Sequence, residues 1–243
     1  MWVKPDETMD DLIIGGLKII QPQKGYRFSI DAVLLAHFCS IDKANLAVDL
    51  GTGSGVIPLI LTQRKKDLKI KGIEIQEKMA ERAERSVRYN QLQDRIEVIK
   101  GDVKNIKELI PASSAELVVC NPPFFKENEG FMSKDEDEAV ARHEIKVKFG
   151  DIVRAAAYIL KPKGAFAFVQ RADRFLEVVR TLELIHMAVS RVRWVHSYRN
   201  KPANLVLVEG RKNKTGGMKV LPPMIIYEED GKYCRELLEI YGR

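Results

Sequence analysis

The chain has 243 residues, of which 45% are hydrophobic and 30% charged, and its formal net charge is +6. That length fits one large domain, or one domain with small additions, and buries roughly 70–75% of the surface an unfolded chain exposes. The apolar share is ordinary for a soluble globular protein, and the absence of any run of about 18 apolar residues excludes a transmembrane helix.

The start, Met1–Asp11, is polar and acidic with Pro5, unlike a signal peptide. Cys39, Cys120 and Cys234 are widely spaced and form no CxxC, which points to a reduced, cytoplasmic setting without structural zinc. The four histidines show no metal-ligand spacing, so no metal is expected. The basic excess favours a polyanionic partner such as RNA only slightly, since a solvated surface also accounts for it.

Residues 12–20 (LIIGGLKII) read as two short strands about a Gly15-Gly16 turn. Pro22 and Gly25 break the chain before a helix at Ile30–Phe38, with Ser29 as its expected N-cap. Strand and helix patterns then alternate. Leu46–Leu50 is a strand, Val56–Gln63 a helix, Ile70–Ile75 a strand, and Glu77 to about Leu92 a helix with Ala80, Ala83 and Val87 on one face. Ile96–Ile99 and Leu117–Cys120 are the next strands. Residues 126–147 are polar, with Gly130 and an acidic Asp135–Glu138 cluster, and read as a functional lid or a mobile loop. Helix resumes at Phe149–Leu160, and Pro162 and Gly164 turn the chain into a strand at Ala165–Gln170. A helix at about Arg174–Ile185 precedes strands Ala188–His196 and Leu205–Glu209, which suit an antiparallel hairpin at a sheet edge. A last helix is expected at about Tyr233–Tyr241. The alternation predicts an α/β fold, a mostly parallel, doubly wound sheet that binds ligands beyond the carboxyl ends of its strands.

Four short signals lie at those ends. Asp49-Leu-Gly51-Thr52-Gly53-Ser-Gly55 follows a strand and opens a helix, and its glycines allow a sharp turn and close approach to a ligand. A dinucleotide fingerprint needs glycine where Val56 stands, and a Walker A lysine is absent, so neither a dinucleotide nor a triphosphate is expected. Glu74, ending the next strand, can accept hydrogen bonds from two ribose hydroxyls. Asp102, after Gly101, can accept one from an adenine amine. Asn121-Pro122-Pro123-Phe124 follows the fourth strand and sets a side-chain amide oxygen beside a proline carbonyl, with an aromatic face on which a planar base can stack. Two acceptors suit an exocyclic NH2, whose lone pair they free by holding both N–H groups.

These residues resemble the class I (Rossmann-like) S-adenosylmethionine methyltransferases, from roughly Phe28 to Glu209, and Asn121–Phe124 resembles the signature of their amino-methyltransferase branch. The resemblance implies S-adenosylmethionine as cofactor. Asp49, Gly51, Thr52, Gly53, Gly55, Glu74, Ile75, Asp102, Val103 and Asn121 would line its site, and Asn121, Pro122, Pro123 and Phe124 would hold the target. It leaves open adenine N6, cytosine N4, guanine N2 and the amide of glutamine. Lys201-Pro202-Ala203, with Pro122–Phe125, is similar to the bacterial transfer-RNA adenine-N6 methyltransferases acting beside the valine anticodon. That likeness makes tRNA the expected partner. Residues 1–243 would then form one methyltransferase domain with a short N-terminal extension (about 1–28) and a C-terminal tail (about 211–243). The alternatives are a protein-glutamine methyltransferase, which usually carries a separate N-terminal helical domain, a ribosomal-RNA guanine-N2 methyltransferase, and a non-catalytic RNA-binding module on the same fold.

Weaker signals are Arg27–Asp31, either a segment closing over the donor or an ordinary helix start, and Ala141-Arg142-His143-Glu144, which could reach a target or only order the loop. Arg191, Arg193, His196, Arg199, Lys201, Arg211, Lys212 and Lys214 make the hairpin region basic, as a solvated face or as an RNA contact. The oligomeric state is left open.

Overall fold

A computed structural model describes residues 2–25, 27–122, 148–214 and 216–242. The main sheet is built from β3 (Leu46–Leu50), β4 (Lys69–Glu74), β5 (Ile96–Lys100), β6 (Ala115–Cys120), β7 (Leu160–Arg171), β8 (Met187–His196) and β9 (Ala203–Lys212). Their order is β8-β9-β7-β6-β3-β4-β5, with β10 (Lys219–Val220) and β11 (Met224–Ile225) on the outer side of β8. The five strands from β7 to β5 are parallel, and β9 runs antiparallel to both neighbours. No helix among the described residues is long and apolar enough to cross a membrane.

Helices α1 (Ile30–Phe38) and α2 (Val56–Arg64) share one apolar cluster with Ala47, Leu117, Val119 and Ala167, on one face of the sheet. The other face packs Val48, Leu50, Val118, Phe166 and Phe168 against α4 (Ile106–Leu109), α5 (Phe149–Ile159) and α6 (Phe175–Glu183). Alternate residues of each strand thus feed opposite cores, which is why β3 and β6 read as continuous apolar runs. Arg64, ending α2, donates to the carbonyls of Ala36 and Cys39, where α1 ends. The two helices therefore run side by side in one direction, and α1 starts at the glycine-loop end of the sheet.

The N-terminal hairpin differs from the sequence expectation. Its strands are β1 (Glu7–Asp11), which precedes the 12–20 run instead of occupying its first half, and β2 (Lys18–Pro22), which begins within its second half. Leu12, Ile14 and Leu17 lie in the connection and turn into the core, so their apolar character marks an anchor and not a strand. β1 has no hydrophobic alternation because its one deeply buried side chain is Glu7, 5% exposed. Glu7 pairs with Arg82 at 2.9 Å and Arg85 at 2.6 Å on α3 (Glu77–Tyr89).

Ser29 holds the N-cap position of α1, but its hydroxyl donates to the Asp31 carboxylate (3.0 Å) instead of accepting a backbone N–H. β7 begins at Leu160, ahead of the expected turn. Its pairing with β6 slips between Ala115 and Leu117, which places Lys161–Gly164 in an irregular stretch of the strand. The β8–β9 hairpin is not a bare edge. Two-residue strands of the tail, too short for any periodicity to reveal, pair with β8 and are fixed by Met224 and Ile226 entering the core.

The hydrogen bond from Arg85 does most to hold the Glu7 carboxyl down to a pKa of about 2 against the opposing effect of burial, with Lys4 and Arg82 adding to it. A depressed carboxylate pKa stabilises the fold above the unfolded value, near 4.5, and the contribution is lost as pH falls toward 2. Glu7→Gln, which leaves two arginines without their countercharge, should lower unfolding free energy by roughly 3 kcal/mol at pH 7. The gap to wild type in urea melts should close between pH 4.5 and 2.

Candidate active site

The glycine loop is fastened to the strand beside it. The amides of Gly51 and Thr52 both donate to the Ile73 carbonyl at 2.9 Å, and Gly55 N–H closes back on Thr52 O at 2.9 Å. Gly51, Gly53 and Gly55 have φ of 75°, 56° and 86°, left-handed values that side chains rarely adopt. A Cβ at Gly51 or Gly53 would meet no atom within 4 Å, so the loop turns its bare backbone toward open space. Gly55 leads directly into α2.

Register sets the rest of the site in line. Asp49 pairs with Gly72 and with Val119, and Glu74 pairs with Lys100. Gly51, Glu74, Lys100 and Asn121 therefore stand at one height across four adjacent strands, in the order β5, β4, β3, β6. Strand spacing puts Asn121 about 10 Å from Glu74 across the row. Alternation directs Asp49 and Glu74 to the face covered by α1 and α2, and carried one residue past β6 it directs Asn121 there too.

Asp49 is fully buried, and among the described residues neither of its carboxylate oxygens nor the Thr52 hydroxyl has a hydrogen-bond partner. Burial pushes the Asp49 pKa up to about 7. The nearby Thr52 hydroxyl lowers it without forming a bond of full geometry, and the Glu74 charge raises it. A buried acceptor with no donor calls for an explanation, and a ligand that brings its own donors supplies one.

Glu74 is 5% exposed and accepts from Gly53 N–H (2.9 Å) and Gln76 N–H (2.9 Å), one per oxygen. Burial raises its pKa while these amides oppose the rise. A carboxylate has about four lone-pair sites, so two stay open for hydroxyl donors. Asp102 is half-buried and uses Oδ1 to cap the turn at Val103–Asn105 through Lys104 N–H (2.9 Å), leaving Oδ2 for another donor. Ile75 is half-buried and Val103 is buried. Asn121 is half-buried, its side chain unbonded among the described residues, and Pro122 is buried. Pro123, Phe124, the 126–147 segment, Arg142 and His143 lie outside the described residues.

Sequence reasoning missed the brace between Glu74 and Gly53, and the part played by Gly72. A Cβ on Gly72 would come within 2.9 Å of Thr52 Cγ2, so this glycine makes room for the loop. A glycine inside an apolar strand was the available signal.

The basic hairpin is mostly committed elsewhere. Arg191 donates to buried Glu209 (3.0 Å) and lies over the Phe38 ring. Arg193 binds Glu236 at 2.7 Å, Arg211 binds Glu209 at 2.8 Å, and Lys212 caps the carbonyls of Ala157 and Leu160. Arg199 and Lys201 are exposed and make no ion pair among the described residues.

A sequence model of the methyltransferase small domain matches residues 29–199, most of the chain. The chain belongs to the methyltransferase small domain family. Within that family it is 29% identical over 222 residues to a tRNA1(Val) (adenine(37)-N6)-methyltransferase of Porphyromonas gingivalis, covering 88% of this chain and 86% of the relative. It is 26% identical to the protein of the same name from Shewanella sp., covering 89% and 90%. Among solved structures, a predicted O-methyltransferase of Agrobacterium tumefaciens superimposes with a TM-score of 0.69 at 22% identity, covering 87% and 95%. TYW2 of Pyrococcus horikoshii, in complex with MeSAdo, gives 0.61 at 14%, covering 87% and 73%. These superpositions establish the class I methyltransferase fold.

The Asp49 pKa makes a stability prediction for the ligand-free protein. Between 3.8 and about 7 the folded chain keeps a proton that the unfolded chain releases, so stability falls as pH rises through that window and levels off above it. Asp49→Asn does not titrate. Its stability relative to wild type should climb by about 1 kcal/mol per pH unit from pH 4 to 7 in urea melts. Parallel curves would remove the case for a buried, unpartnered carboxylate.

Proposed function

We propose that this methyltransferase carries a methyl group from S-adenosylmethionine to N6 of an adenine in the anticodon region of a transfer RNA. The observation that carries the reading is the extent of the similarity: the two relatives above, which share one printed activity, align over 86% and 90% of their own length, not over the donor-binding part alone. On this reading the whole chain, 1–243, works as one domain.

The residues fit the donor in order along the rim. Asp49 would accept the ammonium group of the methionine portion, the cationic donor its buried oxygens lack. The bare backbone of Gly51–Gly55 would lie along that portion, with Thr52 beside it. Glu74 would take the ribose hydroxyls with Ile75 alongside, and Asp102 the adenine amine with Val103 as an apolar wall. S-adenosylmethionine supplies a methyl group already activated on a sulfonium. The chain's task is then orientation and charge. The Asn121 amide oxygen and the Pro122 carbonyl would hold both N–H groups of the target amine, pushing its nitrogen toward a tetrahedral shape and stabilising the positive charge that grows on it. In this proposal Pro123 keeps the motif free of a competing N–H donor and Phe124 stacks on the base. No strong general base is needed before attack.

Two tests follow. Wild-type protein with labelled donor is offered unmodified tRNA, ribosomal RNA and a release factor side by side, and hydrolysed products are analysed by mass spectrometry. N6-methyladenosine from tRNA is expected. Label only in methylglutamine, or only in N2-methylguanosine, overturns the substrate and keeps the methyl-transfer reading. Asn121→Ala should lower kcat about 10²–10³-fold, as for loss of one preorganised hydrogen-bonding group. Calorimetric donor affinity should hardly change, while Glu74→Ala should weaken it by roughly 1.5–3 kcal/mol.

A further inference from the structure

The β8–β9 hairpin ends on the same rim as the active site. Cys120 pairs with Phe168, Phe168 with Val208, and Val208 with Val192. Asn121 is thus level with Arg193, and Tyr198 lies further out along the same direction, past the end of β8. Three strand spacings and the intervening residues separate Asn121 from Tyr198 by on the order of 20 Å.

Tyr198 begins a ladder of tyrosines. Its ring centroid is 5.5 Å from that of Tyr227, Tyr227 is stacked on Tyr233 at 5.5 Å, and Tyr233 on Tyr241 at 6.5 Å. Tyr241 ends the ladder against the apolar core. Tyr198, half-buried, ends it at the hairpin tip, and its one ring partner among the described residues is Tyr227, so no described ring covers its second face. The tip is held rigid. His196 Nδ1 bonds Lys201 O at 2.7 Å, Asn204 Nδ2 donates to Ser197 Oγ at 2.7 Å, and Tyr227 N–H donates to Ser197 O at 2.9 Å. Arg199 and Lys201, one and three residues further along the tip, are exposed and make no ion pair among the described residues. At the other rungs Glu228 and Glu229 are exposed and would repel phosphate. Charge therefore admits a polyanion at the Tyr198 end and not along the ladder.

We propose that the second face of Tyr198 is a stacking platform for an unpaired RNA base, several nucleotides from the methylated one, with Arg199 and Lys201 on the adjoining phosphates. This rests on the RNA reading above. A flat ring accepts any base, and cations beside it hold the backbone, the combination by which single-stranded nucleic acid is held without sequence readout. Specific RNA recognition also favours splayed loop bases over paired ones.

The test compares wild type, Tyr198→Phe and Tyr198→Leu on in vitro transcribed tRNA, with donor calorimetry as the check on folding. Tyr198→Leu keeps an apolar side chain and loses the π face. It should raise KM for RNA about 5- to 100-fold, and Tyr198→Phe should restore it to near the wild-type value. Wild-type protein crosslinked to 4-thiouridine-substituted tRNA should carry the nucleotide on the peptide spanning residues 194–211, a readout that needs no variant to fold. Unchanged KM in a donor-binding Tyr198→Leu, or no crosslink in that peptide, overturns the platform and leaves tRNA methylation standing. Failure of the wild type to bind tRNA overturns both.

Discussion

Asp49 is a carboxylate sealed between two layers of the molecule with no donor among the described residues, and much of the parallel half of the sheet keeps it so. Its place at the end of β3, flanked by β4 and β6, removes it from water. The glycine loop closes over it because Gly51 and Thr52 hang from the Ile73 carbonyl and Gly53 hangs from Glu74. Thr52 can pack there only because residue 72 has no side chain. Burial of a carboxylate without a partner is unfavourable, and it persists because the surrounding strands and helices over-determine the geometry. A small cation with several N–H donors relieves that imbalance. A dinucleotide pyrophosphate would add negative charge to it, which agrees with the valine at position 56.

The same register that buries Asp49 lines up the other polar groups. In a parallel sheet each strand ends at the same rim, and side chains two residues apart share a face, so Gly51, Glu74 and Asn121 reach one height on one side without any special contact among them. On the proposed reading the order across the strands, acid for an adenine, acid for a ribose, open backbone, amide, would match the order of parts in a nucleoside carrying a sulfonium tail whose methyl meets its target. Topology supplies that sequence of sites, and each local motif needs only to end its strand correctly.

Most of this was legible in the sequence, because each motif follows an apolar run and the strand–helix alternation is regular. The helices α1, α2 and α3 and the strands β3 to β6 lie within a few residues of where periodicity puts them. The failures have common physics. β1 was missed because its buried residue is a glutamate whose stabilising partners, Arg82 and Arg85, are distant in sequence. β10 and β11 were missed because two residues hold no period. The basic residues of the hairpin read as one surface group, yet Glu209, buried on the neighbouring strand, draws Arg191 and Arg211 inward. Charge composition counts those arginines equally with Arg199, and only the pairing separates them.

That separation divides one hairpin into two parts with different work. At its base, Glu209 takes hydrogen bonds from Ser40, Arg191 and Arg211 and ties β9 to the end of α1. At its tip, the tail strand β11 and the tyrosine ladder fix residues 197–201 from outside. A tip braced on both sides has little conformational freedom left to lose when a ligand arrives, and preorganisation of that kind converts directly into affinity. The tail is therefore more than a covering for the sheet edge. By pairing with β8 it fixes the tip that carries Tyr198, Arg199 and Lys201 relative to the end of β6, and on the proposed reading the strand that supplies the target amine is gripped there while the amine is held by the two acceptors after β6.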